Sequence, residues 1–128
     1  MAFQEGVNLR NAKLNAINTQ LSTTATLKIF SGAEPANCAA SDPSGVLVTI
    51  NLPSSPFASA SGGAVALNGT WSASASATGT AASFRIYDST STCQFQGNTS
   101  TDLILNNNSI SSGQTVTITS FTITAGNA

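Results

Sequence analysis

Trp71-Ser72-Ala73-Ser74-Ala75-Ser76-Ala77, followed after a short break by Ala82-Ser83-Phe84-Arg85-Ile86-Tyr87, decides how the rest of this chain is read. In both stretches apolar or small side chains take every second position. Successive side chains of an extended strand point to opposite faces, so a period of two marks strands with one face inward and one face wet. Trp71 on the inward parity reads as core. Arg85 and Tyr87 have the opposite parity from Phe84 and Ile86, so they are expected to face outward. Arg and Tyr are frequent interface anchors, which makes the pair a candidate contact patch.

The same period runs outward in both directions. Ala25, Leu27 and Ile29 alternate with Thr26, Lys28 and Phe30, and Val46, Val48, Ile50 and Leu52 with Leu47, Thr49 and Asn51. Cys93 and Phe95 alternate with Gln94 and Gln96. The last run, Thr115 to Thr124, changes phase: Val116 and Ile118 have even parity, Phe121 and Ile123 odd parity. One continuous strand cannot hold both pairs on one face, so the pattern predicts a bulge near Ser120 or a strand that leaves one layer for another. Asn68-Gly69 is a hairpin-turn dipeptide. Asp42-Pro43-Ser44-Gly45, Ser61-Gly62-Gly63, Asp88 to Ser91 and Asn106 to Asn108 read as loops. Pro53-Ser54-Ser55-Pro56 ends the second run, because proline donates no ladder hydrogen bond. Roughly seven or eight strands in about a hundred residues predict an all-β fold, an antiparallel β-sandwich or jelly roll.

The start of the chain has a different period. Val7, Arg10, Leu14, Ile17 and Leu21 recur at three- and four-residue spacing and share one face of a helix from Val7 to Leu21. Asn8, Asn11, Asn15 and Asn18 are weak helix formers, so the helix needs a partner surface. That surface is either its own sheet or a neighbouring chain, and these five residues are therefore candidate interface positions. The expected organisation is a helical segment, 1–23, followed by a β-sandwich domain, 24–128.

Composition argues against catalysis. The chain of 128 residues has no histidine, and its nine charged side chains are scattered, with no paired carboxylates. Acid–base, nucleophilic and metal chemistry usually gathers such groups. No catalytic residue, no cofactor and no metal site is expected, and the chain reads as a binding or structural protein. Asp42, Asp88 and Asp102 read as turn-capping carboxylates rather than calcium ligands. The Asn-x-Ser/Thr triplets at Asn68, Asn98 and Asn107 read as chance in a chain so rich in these residues. A net charge of −1 offers no field to hold nucleic acid or an anionic membrane. No apolar run approaches the ~18 residues of a membrane span. The opening MAFQEGVNLR lacks a basic head followed by an apolar stretch, so synthesis in a cytoplasm is expected, with use there or release by lysis rather than export. Cys38 and Cys93 read first as two thiols. A disulfide between them is the alternative if the protein ends up outside a cell.

The segments LKIFSGAEPANC (Leu27 to Cys38), ATGTAASFRIYDSTSTCQFQG (Ala77 to Gly97) and SGQTVTITSFTITAGNA (Ser112 to Ala128) resemble small structural proteins of tailed bacteriophages. The resemblance implies a virion component, and within that class a capsid cement (decoration) protein. Such a protein sits on the outer capsid surface as a homo-oligomer, trimer in preference to dimer, and clamps neighbouring copies of the major capsid protein. A receptor- or carbohydrate-binding tail-fibre domain, or a tail or neck connector, are the alternatives. The sugar-binding reading has only Trp71 and Tyr87 to stack on a ligand.

Overall fold

The computed structural model describes residues 4–124, so the outermost ends of both expected segments, 1–3 and 125–128, lie outside the described residues. The chain forms α1 (Val7–Leu21), β1 (Thr26–Phe30), β2 (Val46–Asn51), β3 (Ala64–Ala66), β4 (Ser72–Ser74) and β5 (Gly79–Thr80). It continues through β6 (Ser83–Tyr87), β7 (Cys93–Asn98), β8 (Ile104–Leu105), β9 (Ser109–Ile110), β10 (Thr115–Ser120) and β11 (Thr122–Thr124). Every ladder is antiparallel. A four-stranded sheet runs in the order β2-β1-β6-β7, a three-stranded sheet in the order β4-β10-β8, and β11-β3 and β5-β9 form two-stranded pairs. The described residues are thus mostly β with one helix, as the strand alternation and the helical spacing predicted.

One hydrophobic cluster joins these elements. Leu14 and Leu21 of α1, Leu27 and Ile29 of β1, Val48 and Ile50 of β2, Phe84 and Ile86 of β6, and Val116 and Ile118 of β10 all belong to it. Trp71 is fully buried at its centre, edge-on to Phe57 with ring centroids 5.3 Å apart. Its indole N–H has no hydrogen-bond partner among the described residues.

The phase change in the last run resolves as a break. β10 ends at Ser120, and β11 begins at Thr122 in a different sheet, paired with β3. The β10–β8 register also shifts between Ile118 and Ser120. An irregularity near Ser120 and a change of sheet occur together. Val116, Ile118 and Phe121 are all buried as a result.

The Asn68-Gly69 turn does not make the expected hairpin. Gly69 has a φ of 73°, as the turn requires, but β3 pairs with β11 while β4 pairs with β10. The turn instead carries the chain from one sheet to another. Asn68 is held to the preceding loop, its backbone N–H on the Pro56 carbonyl at 2.8 Å and its side-chain amide on the Ser55 carbonyl at 3.0 Å.

The asparagines that weaken α1 as an isolated helix fasten it to the fold. Asn11 Oδ1 accepts from Gly63 N–H (2.9 Å), Asn15 Oδ1 from Ala60 N–H (2.8 Å) and Asn18 Oδ1 from Phe57 N–H (3.0 Å). Asn18 Nδ2 also donates to the Phe57 carbonyl at 2.8 Å. The spacing of four and three places these amides along one side of the helix, where each meets a backbone group of residues 57–63 that no strand satisfies. Asn18→Ala removes the partners of both Phe57 backbone groups. It is expected to cost about 2 kcal/mol, from two lost bonds at about 1 kcal/mol each, read as a lowered urea midpoint at unchanged slope. A loss no greater than that of Asn8→Ala would show that the ladder carries no stability.

Candidate interaction surfaces

The helix stripe beyond its first residue packs within the chain. Leu14 and Leu21 are buried, Ile17 is half-buried against the core, and Arg10 lies across Gly63, whose missing side chain makes room for its guanidinium. Val7 departs from the expected stripe. It is 48 % exposed, and Leu9 in the same first turn of α1 is 54 % exposed. Leu9, off the predicted stripe, was not singled out by periodicity.

Arg85 and Tyr87 show the largest departure from the sequence reading. Their parity is as expected: both lie on the face of β6 opposite Phe84 and Ile86. That face is not wet. Arg85 is 2 % and Tyr87 6 % exposed, and all five residues of β6 are buried. The cover is the segment between β1 and β2, residues 31–45, which folds back over the sheet as a strap.

The base of the strap closes where Ser31 N–H donates to the Gly45 carbonyl (2.9 Å) and Gly32 N–H to the Ser44 carbonyl (3.0 Å). A β-carbon on Gly32 would fall 2.9 Å from Ser44 backbone atoms, so the two strands of the base meet only because glycine stands there. Above the base, Arg85 gathers the strap to the sheet. Its Nη1 donates to Asp42 Oδ1 at 2.8 Å, and its Nη2 to the Asn37 carbonyl at 3.0 Å and Gln96 Oε1 at 3.1 Å. Gln96 Nε2 reaches the Pro35 carbonyl at 2.7 Å, and Tyr87 donates to the same Asp42 oxygen at 2.6 Å. Lys28 stands over the Tyr87 ring, 5.3 Å from its centroid.

Cys38 and Cys93 are not thiols but a disulfide, with α-carbons 5.5 Å apart. The bond ties the middle of the strap to the first residue of β7. The sequence reading of free thiols rested on the expected cytoplasmic synthesis. The two residues meet because the strap crosses β6 to reach β7, a path no local pattern encodes.

Electrostatics follow this geometry. The Asp42 carboxyl is held below its usual pKa, first by the Tyr87 hydroxyl and then by the Arg85 guanidinium, with partial burial opposing. Burial, and then the bond to Asp42, push the Tyr87 hydroxyl up. Asp42 is therefore more than the turn cap its loop position implied. Asp88 does act as a cap: it accepts from the Thr90 hydroxyl and from the backbone N–H groups of Thr90 and Thr92, which pull its pKa down to about 2. No group of three or more Cys, Asp or Glu able to hold a metal ion occurs among the described residues.

Among the described residues, the open surfaces include two formed by strands. The outer face of the β4-β10-β8 sheet presents Ser72, Ser74, Thr115 and Thr117, with Ile104 39 % exposed at its edge. A cleft of about 410 Å³ opens between β7 and β11, floored by Phe84, Phe95 and Phe121 and rimmed by Gln96, Asp102, Thr122 and Thr124. No helix among the described residues is long and apolar enough to cross a membrane. Compared with known proteins, the chain matches no family, no curated sequence and no solved structure.

Proposed function

We propose that this chain is a virion structural protein of a tailed phage, a capsid cement protein that bridges major capsid subunits on the outer shell. In this reading the four-stranded and three-stranded sheets are the two layers of a sandwich of jelly-roll type. The carrying observation is the outer face of β4-β10-β8, where the outward side chains of β4 and β10 are Ser and Thr with no ionisable group among them. Covering a charge costs several kcal/mol unless it is paired, whereas a hydroxyl is satisfied by a bridging water. A face of hydroxyls is therefore covered at small desolvation cost, which suits broad, wet, repeated contacts. The disulfide supports use outside a reducing cytoplasm, where a released virion resides.

The sugar-binding alternative loses its stacking residues. Trp71 is fully buried and Tyr87 lies under the strap, so neither offers a ring face to a ligand.

A cement protein adds a modest contact many times over, and binding across subunit boundaries raises the temperature at which the shell disrupts. Quantitative densitometry of purified virions is expected to give tens to hundreds of copies. A tail or neck ring closes with on the order of three to twelve subunits, and a count in that range would move the protein to the tail or neck.

A further inference from the structure

We infer that the cleft between β7 and β11 is an acceptor for one extended strand of a different protein, entering between the two sheets with a basic side chain at Asp102. The inference does not depend on which assembly the chain serves.

Both walls of the cleft are strand edges with main-chain groups turned into it. In the β3–β11 pair, Ala64 exchanges both its backbone bonds with Ser61, and the Ala66 carbonyl accepts from Ala58 N–H. Those groups point away from β11, so the ladder bonds pass through Val65 and Ile123. The N–H and C=O of Thr122 and Thr124 therefore point the other way, toward the cleft. On the opposite wall, Asn98 N–H meets Asp102 Oδ2 at 3.1 Å and its carbonyl accepts from Leu103 N–H at 3.2 Å, so Asn98 faces away from β6. Gln96, two residues earlier, faces the same way by the strand period. A strand laid between these edges would join the four-stranded sheet to the β11-β3 pair. Its inward side chain would rest on Phe84, Phe95 and Phe121.

Charge selects the occupant. Asp102 is the only ionisable residue lining the cleft, and it is exposed. The chain's own cations are committed elsewhere: Lys13 to Glu5, Arg85 to Asp42, Lys28 over Tyr87 and Arg10 against Gly63. A second copy thus brings no uncommitted Lys or Arg among its described residues, and the strand comes from another protein. Main-chain pairing along an open edge supplies affinity, and the side-chain pocket supplies selectivity.

The probe is an acetylated, amidated six-residue peptide alternating Val and Thr with one central Lys, titrated into the isotope-labelled full chain. The expected result is saturable amide shifts at Gln96, Thr122 and Thr124, with slowed solvent exchange at the same groups. Replacing the peptide's Lys by Glu should weaken binding, and Asp102→Asn should abolish that preference. N-methylation of alternate peptide residues, which leaves the protein untouched, should remove the shifts on one wall. Thr124→Pro, which deletes an N–H facing the cleft, should weaken binding about tenfold, the equivalent of one hydrogen bond. Four outcomes would overturn the inference. They are no saturable shift up to about 5 mM peptide; shifts confined to other residues; the same shifts on raising protein concentration alone, which would make a second copy the occupant; and binding only by a chain ended at Thr124, which would assign the cleft to residues 125–128.

Discussion

Replacing both Cys38 and Cys93 by alanine is expected to lower the free energy of unfolding by about 4 kcal/mol. The bond spans a separation of 55 residues. Closing a loop of that length removes about 14 cal/mol/K of chain entropy from the unfolded state, which is about 4 kcal/mol at room temperature. For a chain of 128 residues that corresponds to a melting point lower by about 15 °C, using about 2 cal/mol/K of unfolding entropy per residue. The loss should also have a location. Hydrogen exchange should rise across residues 31–45 and at the start of β7, while the core amides of β1 and β6 change only through global unfolding. Loss of less than about 1 kcal/mol, or unaltered exchange in the strap, would show that the polar contacts alone hold it down. Treatment of the wild-type protein with excess dithiothreitol should reproduce the double variant. Agreement between the two would exclude a packing effect of the alanines.

The second large effect is expected at Asp42, and its sign is asymmetric. Asp42→Ala leaves the Arg85 guanidinium buried without its carboxylate. Such an uncompensated charge costs about 3 kcal/mol, at the lower end of the buried-pair range because the Asp42 side chain is itself 47 % exposed. Arg85→Met is expected to cost less. Methionine refills the volume with apolar atoms, and the abandoned Asp42 carboxylate can hydrate from its exposed side. Equal losses from the two variants would contradict this account. Asp42 and Tyr87 also contribute to the two limbs of the pH profile, the acid limb being shared with Asp88. Asp42 has a folded pKa below its unfolded value, so its contribution is present above about pH 4 and is lost as pH falls through the folded pKa. Tyr87 has a folded pKa above its unfolded value, so its contribution is complete below about pH 10 and is lost as pH rises beyond that. Tyr87→Phe should flatten the alkaline limb, and Asp42→Asn should reduce the acid limb while leaving the share that Asp88 contributes.

Core side chains were legible from one local period along most strands, but not at Val46, which is 39 % exposed, nor at Phe30 and Leu47, which are buried on the parity expected to be wet. Trp71, Phe84 and Ile86 read as core and are buried. The phase change between Ile118 and Phe121 announced the break at the end of β10. The helix limits, Val7 to Leu21, came from its spacing alone. Each of these is a statement about neighbours in sequence, and the period of side-chain direction along a helix or strand fixes it.

The errors share a different cause. Parity places Arg85 and Tyr87 on the face opposite Phe84, and that is correct. Whether the face meets water depends on residues 31–45, which approach it from more than forty positions away in the chain. The asparagines of α1 look like poor helix formers until the unsatisfied backbone of residues 57–63 lies beside them. Asn68-Gly69 specifies a tight turn but not which strands it will join, since pairing is set by β10 and β11 arriving from the far end of the chain. Thus the amino-acid sequence by itself determined the all-β class, the helix, the inward faces of β1, β6 and β10, and the poverty of catalytic groups. Only the tertiary structure decided the disulfide, the strap that hides Arg85, and the open cleft between β7 and β11. Local periodicity encodes the direction a side chain points, whereas burial and pairing are set by whatever distant segment occupies the space it points into.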